Sequence, residues 1–490
     1  MPVLTARGGN MAIKIFIPTP LRPYTNQKDV VEVEGKTVAE ALQKLTTFYQ
    51  DLKKHLYTED EKLRSFVNIY VNDQDIRHLE KEKTPLTGEE TVHIVPSIAG
   101  GSFSSETQVV ESPLSKDEMQ RYSRHLNIPE VGIQGQVKLK KAKVLCVGAG
   151  GLGAPASLYL AAAGVGTIGL IDFDLVDYTN LQRQILYSTS EVGEPKLKVA
   201  KRKLESLNPE IRIQIHETRL TSENALNLFA QYDIIVDGTD NFPTRYLVND
   251  ACVLTGKPNV YGSIFRFEGQ VSIFDAQKGP CYRCLYSEPP PPGLVPSCAE
   301  GGVLGVLPGI IGSFQTLETL KLILGIGEPL IGRLILFDGL TFKTREMRLK
   351  KDPECPICGK NRRISKLIDY EQFCGVKKED EKMNHEIEIE LEEFKKLRDQ
   401  KIDCILIDVR EKWEWELCCF PEALHIPLRE LSSRLHELDK SKLMIVHCKS
   451  GGRSALAVQQ LKKAGFTNVK NLKGGINGWA DKIDPSVPKY

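Results

Sequence analysis

From Ile13 the run IKIFIP alternates apolar with polar residues, the two-residue period of a strand with one dry face, and VVEVEG from Val30 repeats it. VAEALQKLTTFYQDL changes to a helical period that puts Val38, Leu42, Leu45 and Leu52 on one face. VNIYVN and TVHIVP are strand-like again, so residues 11–101 are expected to form a small α+β domain with a helix across one sheet. The following SFSSETQVVESPLSKDE is rich in Ser and charge without periodicity, as a linker over residues 102–115 would be. From Lys143, KVLCVGAGGLGAPASLYLAAAG reads as a buried strand, a glycine turn and an Ala-rich helix, and GTIGLIDFD completes a βαβ unit. IRIQIHE, YDIIVDGTD, NVYGSIF and VSIFD alternate with helical runs, which predicts a large α/β domain over residues 116–375. After the charged stretch VKKEDEKMNHE, the strands CILIDVR, LMIVHC and NVKNL and the helix SALAVQQLKKAG predict a smaller α/β domain over residues 385–490.

A length of 490 residues suits three such domains. With 65 Lys plus Arg against 64 Asp plus Glu, no global field argues for nucleic acid or an anionic membrane surface, and partners must be sought at local sites. No apolar run approaches the roughly 18 residues of a spanning helix. The start MPVLTARGGN has no apolar signal core, so a cytoplasmic protein is expected. The 12 cysteines are scattered, and some stand in C-x-x-C pairs, which in a reducing compartment favours metal or redox chemistry over a disulfide scaffold.

Gly148, Gly150 and Gly153 follow the pattern G-x-G-x-x-G between a strand and a helix. Glycines so spaced allow a tight turn, leave room for phosphates and aim a helix N-terminus at their charge. Asp172, 19 residues beyond Gly153, can take a ribose hydroxyl. This much fits nicotinamide or flavin dehydrogenases equally well. Asn180, Gln182, Arg183, Lys196 and Asp240 change the picture. They supply two cations for a polyphosphate and a strand-end carboxylate where a magnesium ion can bridge phosphate oxygens, a cluster that hydride transfer does not need. The same spacing also allows Arg183 and Lys196 to be solvated surface charges and Asp240 to be a helix cap.

RYSRHL from Arg121, VGAGGLG, IDFD, NLQRQ, GEPK and DGTDN, in that order, resemble the ubiquitin-activating-type adenylyltransferases of bacterial sulfur-carrier pathways, the MoeB, ThiF and MoeZ enzymes, over residues 112–375. The resemblance implies a Rossmann-like adenylation domain. In it Gly148, Gly150, Gly153 and Asp172 hold ATP, Asn180, Arg183 and Lys196 hold its phosphates, and Asp240 carries magnesium, with Gln182 and Asn241 in the same motifs. Arg124 matches an arginine that reaches into the neighbouring subunit's ATP site, which implies a homodimer. The implied reaction is attack of a C-terminal glycine carboxylate on the α-phosphate of ATP, giving an acyl-adenylate and pyrophosphate.

Cys281-x-x-Cys284 and Cys355-x-x-Cys358 are two short loops able to close a tetrahedral four-thiolate zinc site with no position for water, a structural rather than catalytic set; four ordinary thiols are the plainer alternative. Cys298 stands in EPPPPGLVPSCAEGGVLG, a Pro-rich and Gly-rich loop that can expose a reactive thiol. The loop resembles that of the rhodanese-fused members, whose thiol attacks the carrier's activated C-terminus. Cys448 directly follows a buried strand and precedes Arg453 and a helix, so backbone N–H groups and the helix N-terminus favour its anion. CKSGGR, with four residues between Cys448 and Arg453, resembles the rhodanese loop, as do DVREKWEWE and GGINGW, over residues 385–490. This implies a persulfide on Cys448, supplied by a cysteine desulfurase or a thiosulfate-type donor. The cysteines at 146, 252, 374, 404, 418 and 419 read as fillers.

The first domain, from IPTPLRPYT through FVNIYVNDQDIRHLE to VPSIAGG, resembles the β-grasp, ubiquitin-like sulfur carriers of the MoaD and ThiS class, and most of all the CysO carrier of cysteine synthesis. Such carriers end at the second glycine, because a residue without Cβ threads a narrow channel. Here Gly100-Gly101 is followed by Ser102, so Gly101 carries an amide that cannot be adenylated. Three routes stay open: a peptidase cuts after Gly101 and frees the carrier, a separate carrier is served, or the glycines are a linker. The function implied is ATP-dependent adenylylation of a carrier glycine and persulfide sulfur transfer to form a thiocarboxylate, for cysteine, molybdopterin, thiamine or tRNA thiolation. Ubiquitin-like conjugation, dinucleotide-dependent oxidation and a non-enzymatic scaffold that docks partners through the first domain are the rivals.

Overall fold

The alternation in IKIFIP produces β1 (Ala12–Phe16), with Ile13 and Ile15 fully buried and the residues between them exposed. The computed structural model describes residues 12–96, 113–291, 301–375 and 387–490. Gly100, Gly101 and Cys298 lie outside these residues. The chain divides into two compact units, Met1–Val109 and Val110–Tyr490.

In the first unit β1 joins β2 (Val30–Glu34), β3 (Val67–Val71), β4 (Gln74–Asp75) and β5 (Thr91–Pro96) in the order β2-β1-β5-β3-β4, with β1 and β5 parallel and the other pairs antiparallel. Val38, Ala41, Leu42 and Leu45 of helix Val38–Phe48 are buried in the same cluster as the inward residues of the strands. This is the β-grasp arrangement. The helical period runs on to Leu52, but the backbone breaks at Tyr49 and a second helix, Gln50–Leu56, carries Leu52 into the core.

The second unit holds two sheets. The larger has eight strands: β6 (Lys143–Val147), β7 (Thr167–Asp172), β8 (Arg212–Glu217), β9 (Ile234–Asp237), β10 (Asn259–Phe265), β11 (Glu268–Phe274), β12 (Arg333–Asp338) and β13 (Lys343–Arg348). Their order is β13-β12-β11-β10-β9-β6-β7-β8. From β10 to β8 neighbours run parallel, and from β10 to β13 antiparallel. KVLCV is buried at four of its five positions because helices cover both faces, which is why it reads as a continuous apolar run rather than an alternation. Helices Gly153–Ala163 and Val306–Leu324 pack against each other on one face. The chain leaves β6 to build β7 and β8 on one side, then returns to start β9 on the other. The carboxyl ends of β6 and β9 therefore part around a crevice, the usual ligand position of such Rossmann-like sheets.

The smaller sheet is wholly parallel, in the order β14-β18-β17-β15-β16, from β14 (Glu388–Ile389), β15 (Cys404–Asp408), β16 (Leu424–His425), β17 (Leu443–His447) and β18 (Val469–Leu472). The central strand β17 ends immediately before Cys448.

Candidate active site

Gly148 begins the turn after β6, its N–H donating to the Ile171 carbonyl at 2.9 Å. A Cβ on Gly153 would stand 1.9 Å from the Gly148 carbonyl oxygen, so only glycine lets helix Gly153–Ala163 start this close to the strand. Asp172 closes the turn from β7: its Oδ2 accepts from Ala149 N–H at 2.8 Å, and its Oδ1 from the N–H groups of Phe173 and Asp174 at 2.8 and 2.9 Å.

Lys196, at the start of helix Lys196–Leu207, is only 3% exposed and donates from Nζ to Asp174 Oδ2 at 2.8 Å, so it is a buried cation rather than a solvated one. Arg183 donates through Nη2 to Asn180 Oδ1 at 2.6 Å and through Nη1 to the Thr179 carbonyl at 3.2 Å. Beyond β9, Asn241 Oδ1 accepts from Thr244 N–H at 3.0 Å and so caps helix Phe242–Thr255. The cap is therefore Asn241, and the exposed Asp240 carboxylate beside it is not used for that purpose. Gly148, Gly150, Asp172, Asn180, Arg183, Lys196, Asp240 and Asn241 all line one cavity of about 2180 Å³. Gly153 is not among the lining residues. Gln182 packs its carbonyl and Oε1 on Gly305 instead, and Arg124 is exposed on the short helix Ser123–Leu126.

Two further charged residues, Arg245 lining the crevice and Asp237 beneath it at the end of β9, carried no sequence signal. Asp237, the last residue of β9, is fully buried, which pushes its carboxyl up; its Oδ1 accepts from Thr239 N–H at 3.0 Å. The buried Arg245 donates to the Thr239 carbonyl at 2.9 Å and to Ser263 Oγ at 3.2 Å, and its guanidinium lies 5.1 Å from the Tyr261 ring centroid. Both read as ordinary strand and helix positions in DGTDNFPTR, since neither periodicity nor spacing distinguishes a buried charge.

Cys281, Cys284, Cys355 and Cys358 bring their sulfurs within 4.8 Å of one another, and all but Cys284 are fully buried. Neighbouring sulfurs stand 3.4 to 3.9 Å apart. Four sulfurs around zinc at about 2.3 Å would be separated by about 3.8 Å, so the cluster fits a tetrahedral thiolate site.

Cys448 is 1% exposed, and its Sγ accepts from Gly451 N–H at 3.1 Å and from Ser454 Oγ at 3.3 Å. Ser454 belongs to helix Gly452–Lys463, whose N-terminus adjoins the sulfur. The GGINGW turn supports the loop from behind: Ile476 and Asn477 N–H groups donate to the carbonyls of Cys448 and Lys449 at 2.9 and 3.0 Å. A Cβ on Gly475 would meet those carbonyl oxygens at 2.5 and 2.6 Å. Arg453 grips Glu414 through both terminal nitrogens, at 2.6 and 2.7 Å, which raises the guanidinium further. Arg453 also lines the large cavity.

Three family models match the chain in turn: the ThiS family over residues 15–101, the ThiF family over 122–357 and the Rhodanese-like domain over 390–482. The probable adenylyltransferase/sulfurtransferase MoeZ of Mycobacterium tuberculosis is 50% identical over 386 residues, covering 77% of this chain and 97% of that protein. The adenylyltransferase and sulfurtransferase MOCS3 of Culex quinquefasciatus is 44% identical over 396 residues, 77% of this chain and 90% of that protein. That of Drosophila yakuba is 41% identical over 453 residues, 89% and 98%. The chain belongs to the MoeZ and MOCS3 family. It is an adenylyltransferase and sulfurtransferase that adenylates a sulfur carrier and transfers sulfur, with a ubiquitin-like sulfur-carrier domain of its own. The adenylation domain implies ATP as substrate. Among the described residues no helix is long and apolar enough to cross a membrane.

Proposed function

We propose that ATP binds in the crevice between β6 and β9, its phosphates on the turn of Gly148, Gly150 and Gly153 and against Asn180, Arg183 and Lys196, its ribose at Asp172. The observation that carries this reading is the buried Lys196 facing the same cavity as the glycine turn and Arg183. The carboxylate of a carrier's terminal glycine attacks the α-phosphorus, the bond to the bridging oxygen breaks, and pyrophosphate leaves as the acyl-adenylate forms. Asp240, with Asn241 beside it, would hold magnesium, which when bound neutralises phosphate charge. Arg124 serves the site of a second subunit, making a homodimer the working unit.

Cys448 takes a sulfane sulfur from a cysteine desulfurase or a thiosulfate-type donor and holds it as a persulfide. Cys298 thiolate attacks the acyl-adenylate carbon, AMP leaves, and a thioester holds the carrier. The outer sulfur of the Cys448 persulfide then attacks the same carbon and releases Cys298. Two equivalents of a cellular thiol cleave the resulting acyl disulfide; they leave as their own disulfide, with the carrier thiocarboxylate and the Cys448 thiol as products. Cys281, Cys284, Cys355 and Cys358 would hold zinc, whose closed thiolate shell supplies a cross-link and no reactive position. The carrier is this chain's first domain, cut after Gly101 by a peptidase, and the compartment is the cytoplasm.

Replacing Asp240 by Ala is expected to lower ATP–pyrophosphate exchange by about a hundredfold or more. Exchange that survives the D240A change at near wild-type rate would show that the metal assignment is wrong.

A further inference from the structure

Tyr490 lies against the Cys448 loop, although it is 42 residues further along the chain. Its Oη accepts from Arg410 Nη1 at 2.8 Å and donates to Glu414 Oε1 at 2.9 Å. Burial raises the phenol above the usual tyrosine range, so it stays protonated and fills both roles at once. The Arg410 guanidinium is fully buried, paired with Asp408, and tied to the Cys418 carbonyl at 2.7 Å. Tyr490 thus connects an immobile cation to the carboxylate that grips Arg453. Burial works to raise Glu414, and the bond from Arg453 overrides it and keeps the carboxyl below its usual range. The Tyr490 ring makes a second contact: Lys449 Nζ, next to the nucleophile in the chain, stands 4.8 Å from the ring centroid.

We propose that Tyr490 is a positioning residue of the sulfur-donor site, holding Arg453 through Glu414 and Lys449 through its ring, so that the Cys448 loop receives an anionic donor such as thiosulfate. The proposal rests on Cys448 being the persulfide carrier. In the step concerned, Cys448 thiolate attacks the outer sulfur of thiosulfate; a new S–S bond forms as the bond to the sulfonate sulfur breaks, and sulfite leaves with the electron pair. Arg and Lys side chains lose the most rotamer freedom when fixed. A rigid phenol anchored on Arg410 restricts both before the donor arrives, and so lowers the cost of binding it.

Charge-selective alkylation of Cys448 tests this independently of the natural donor. Rates at Cys448 with anionic iodoacetate and neutral iodoacetamide are followed by peptide mass spectrometry in the full-length wild type, Y490F and Y490A. Phe keeps a ring for Lys449 and removes the bond to Glu414, whereas Ala removes both. The iodoacetate rate is expected to fall about threefold in Y490F and about tenfold in Y490A, with the iodoacetamide rate in Y490F held within about twofold. An unchanged iodoacetate rate overturns the proposal. So does a rise in both rates, which would mean that Tyr490 only packs the loop. Persulfide formation on wild-type Cys448 from thiosulfate, read by mass, tests the underlying sulfur-carrier role separately, because charge-selective alkylation needs no persulfide.

Discussion

His447 ends β17 one position before Cys448 and is wholly buried, with Asp408 Oδ2 3.6 Å from its Nε2 and the Phe420 ring centroid at 4.9 Å. Burial lowers its pKa from 6.5 to about 4, so the folded ring is neutral at pH 7. The unfolded ring titrates near its ordinary value. Between these values the unfolded chain binds a proton that the folded one refuses, so this contribution is complete above about pH 6.5 and is lost as pH falls towards 4. The loss amounts to about 2 kcal/mol at pH 5. The three tryptophans, Trp413, Trp415 and Trp479, all lie in this domain, so their fluorescence in urea reports its unfolding. The wild type is expected to lose this stability between pH 7 and 5, and H447Q to show a flatter dependence. An equal slope in the variant would place the titration elsewhere.

Cys281 follows β11 and Cys355 follows β13, so the sulfur cluster fastens together two loops at the antiparallel side of the large sheet. Purified protein is expected to carry about one zinc per chain, and C355S or a chelator to remove it and lower the melting temperature by several degrees, because a structural zinc site contributes directly to folding. Protein free of zinc with an unchanged melting temperature would leave four plain thiols. The paired C-x-x-C spacing made this cluster legible in the sequence, but β13, the second of the two strands between its halves, was not. β13 (KTREMR) is exposed at all six positions, and alternation marks a strand only where one face is dry. The break at Tyr49 was hidden because Leu52 falls seven residues after Leu45, in phase with the helix before it. Spacing could not decide between Asp240 and Asn241 as the cap, since adjacent residues of either type can serve. The bond from Tyr490 to Glu414 joins positions 76 apart, and no local pattern encodes it.

The first unit buries its own core, with Ile13, Leu42, Leu45, Ile69 and Val92 in one cluster, and the second unit has separate cores, so among the described residues a cut after Gly101 leaves every core residue in its own unit. Chemistry makes that cut decisive. While Ser102 follows, Gly101 has an amide, and only a free carboxylate can attack ATP. Intact-mass measurement of the protein and its fragments from native cells is expected to find a fragment ending at Gly101. Part of that fragment should be heavier by the difference between sulfur and oxygen, the mark of a thiocarboxylate. The chain would then be the precursor of both an enzyme and its substrate. Cells that show active sulfur transfer and yet contain only full-length chain would demand the opposite conclusion: the fused carrier is not the substrate, and the crevice between β6 and β9 serves a carrier encoded elsewhere.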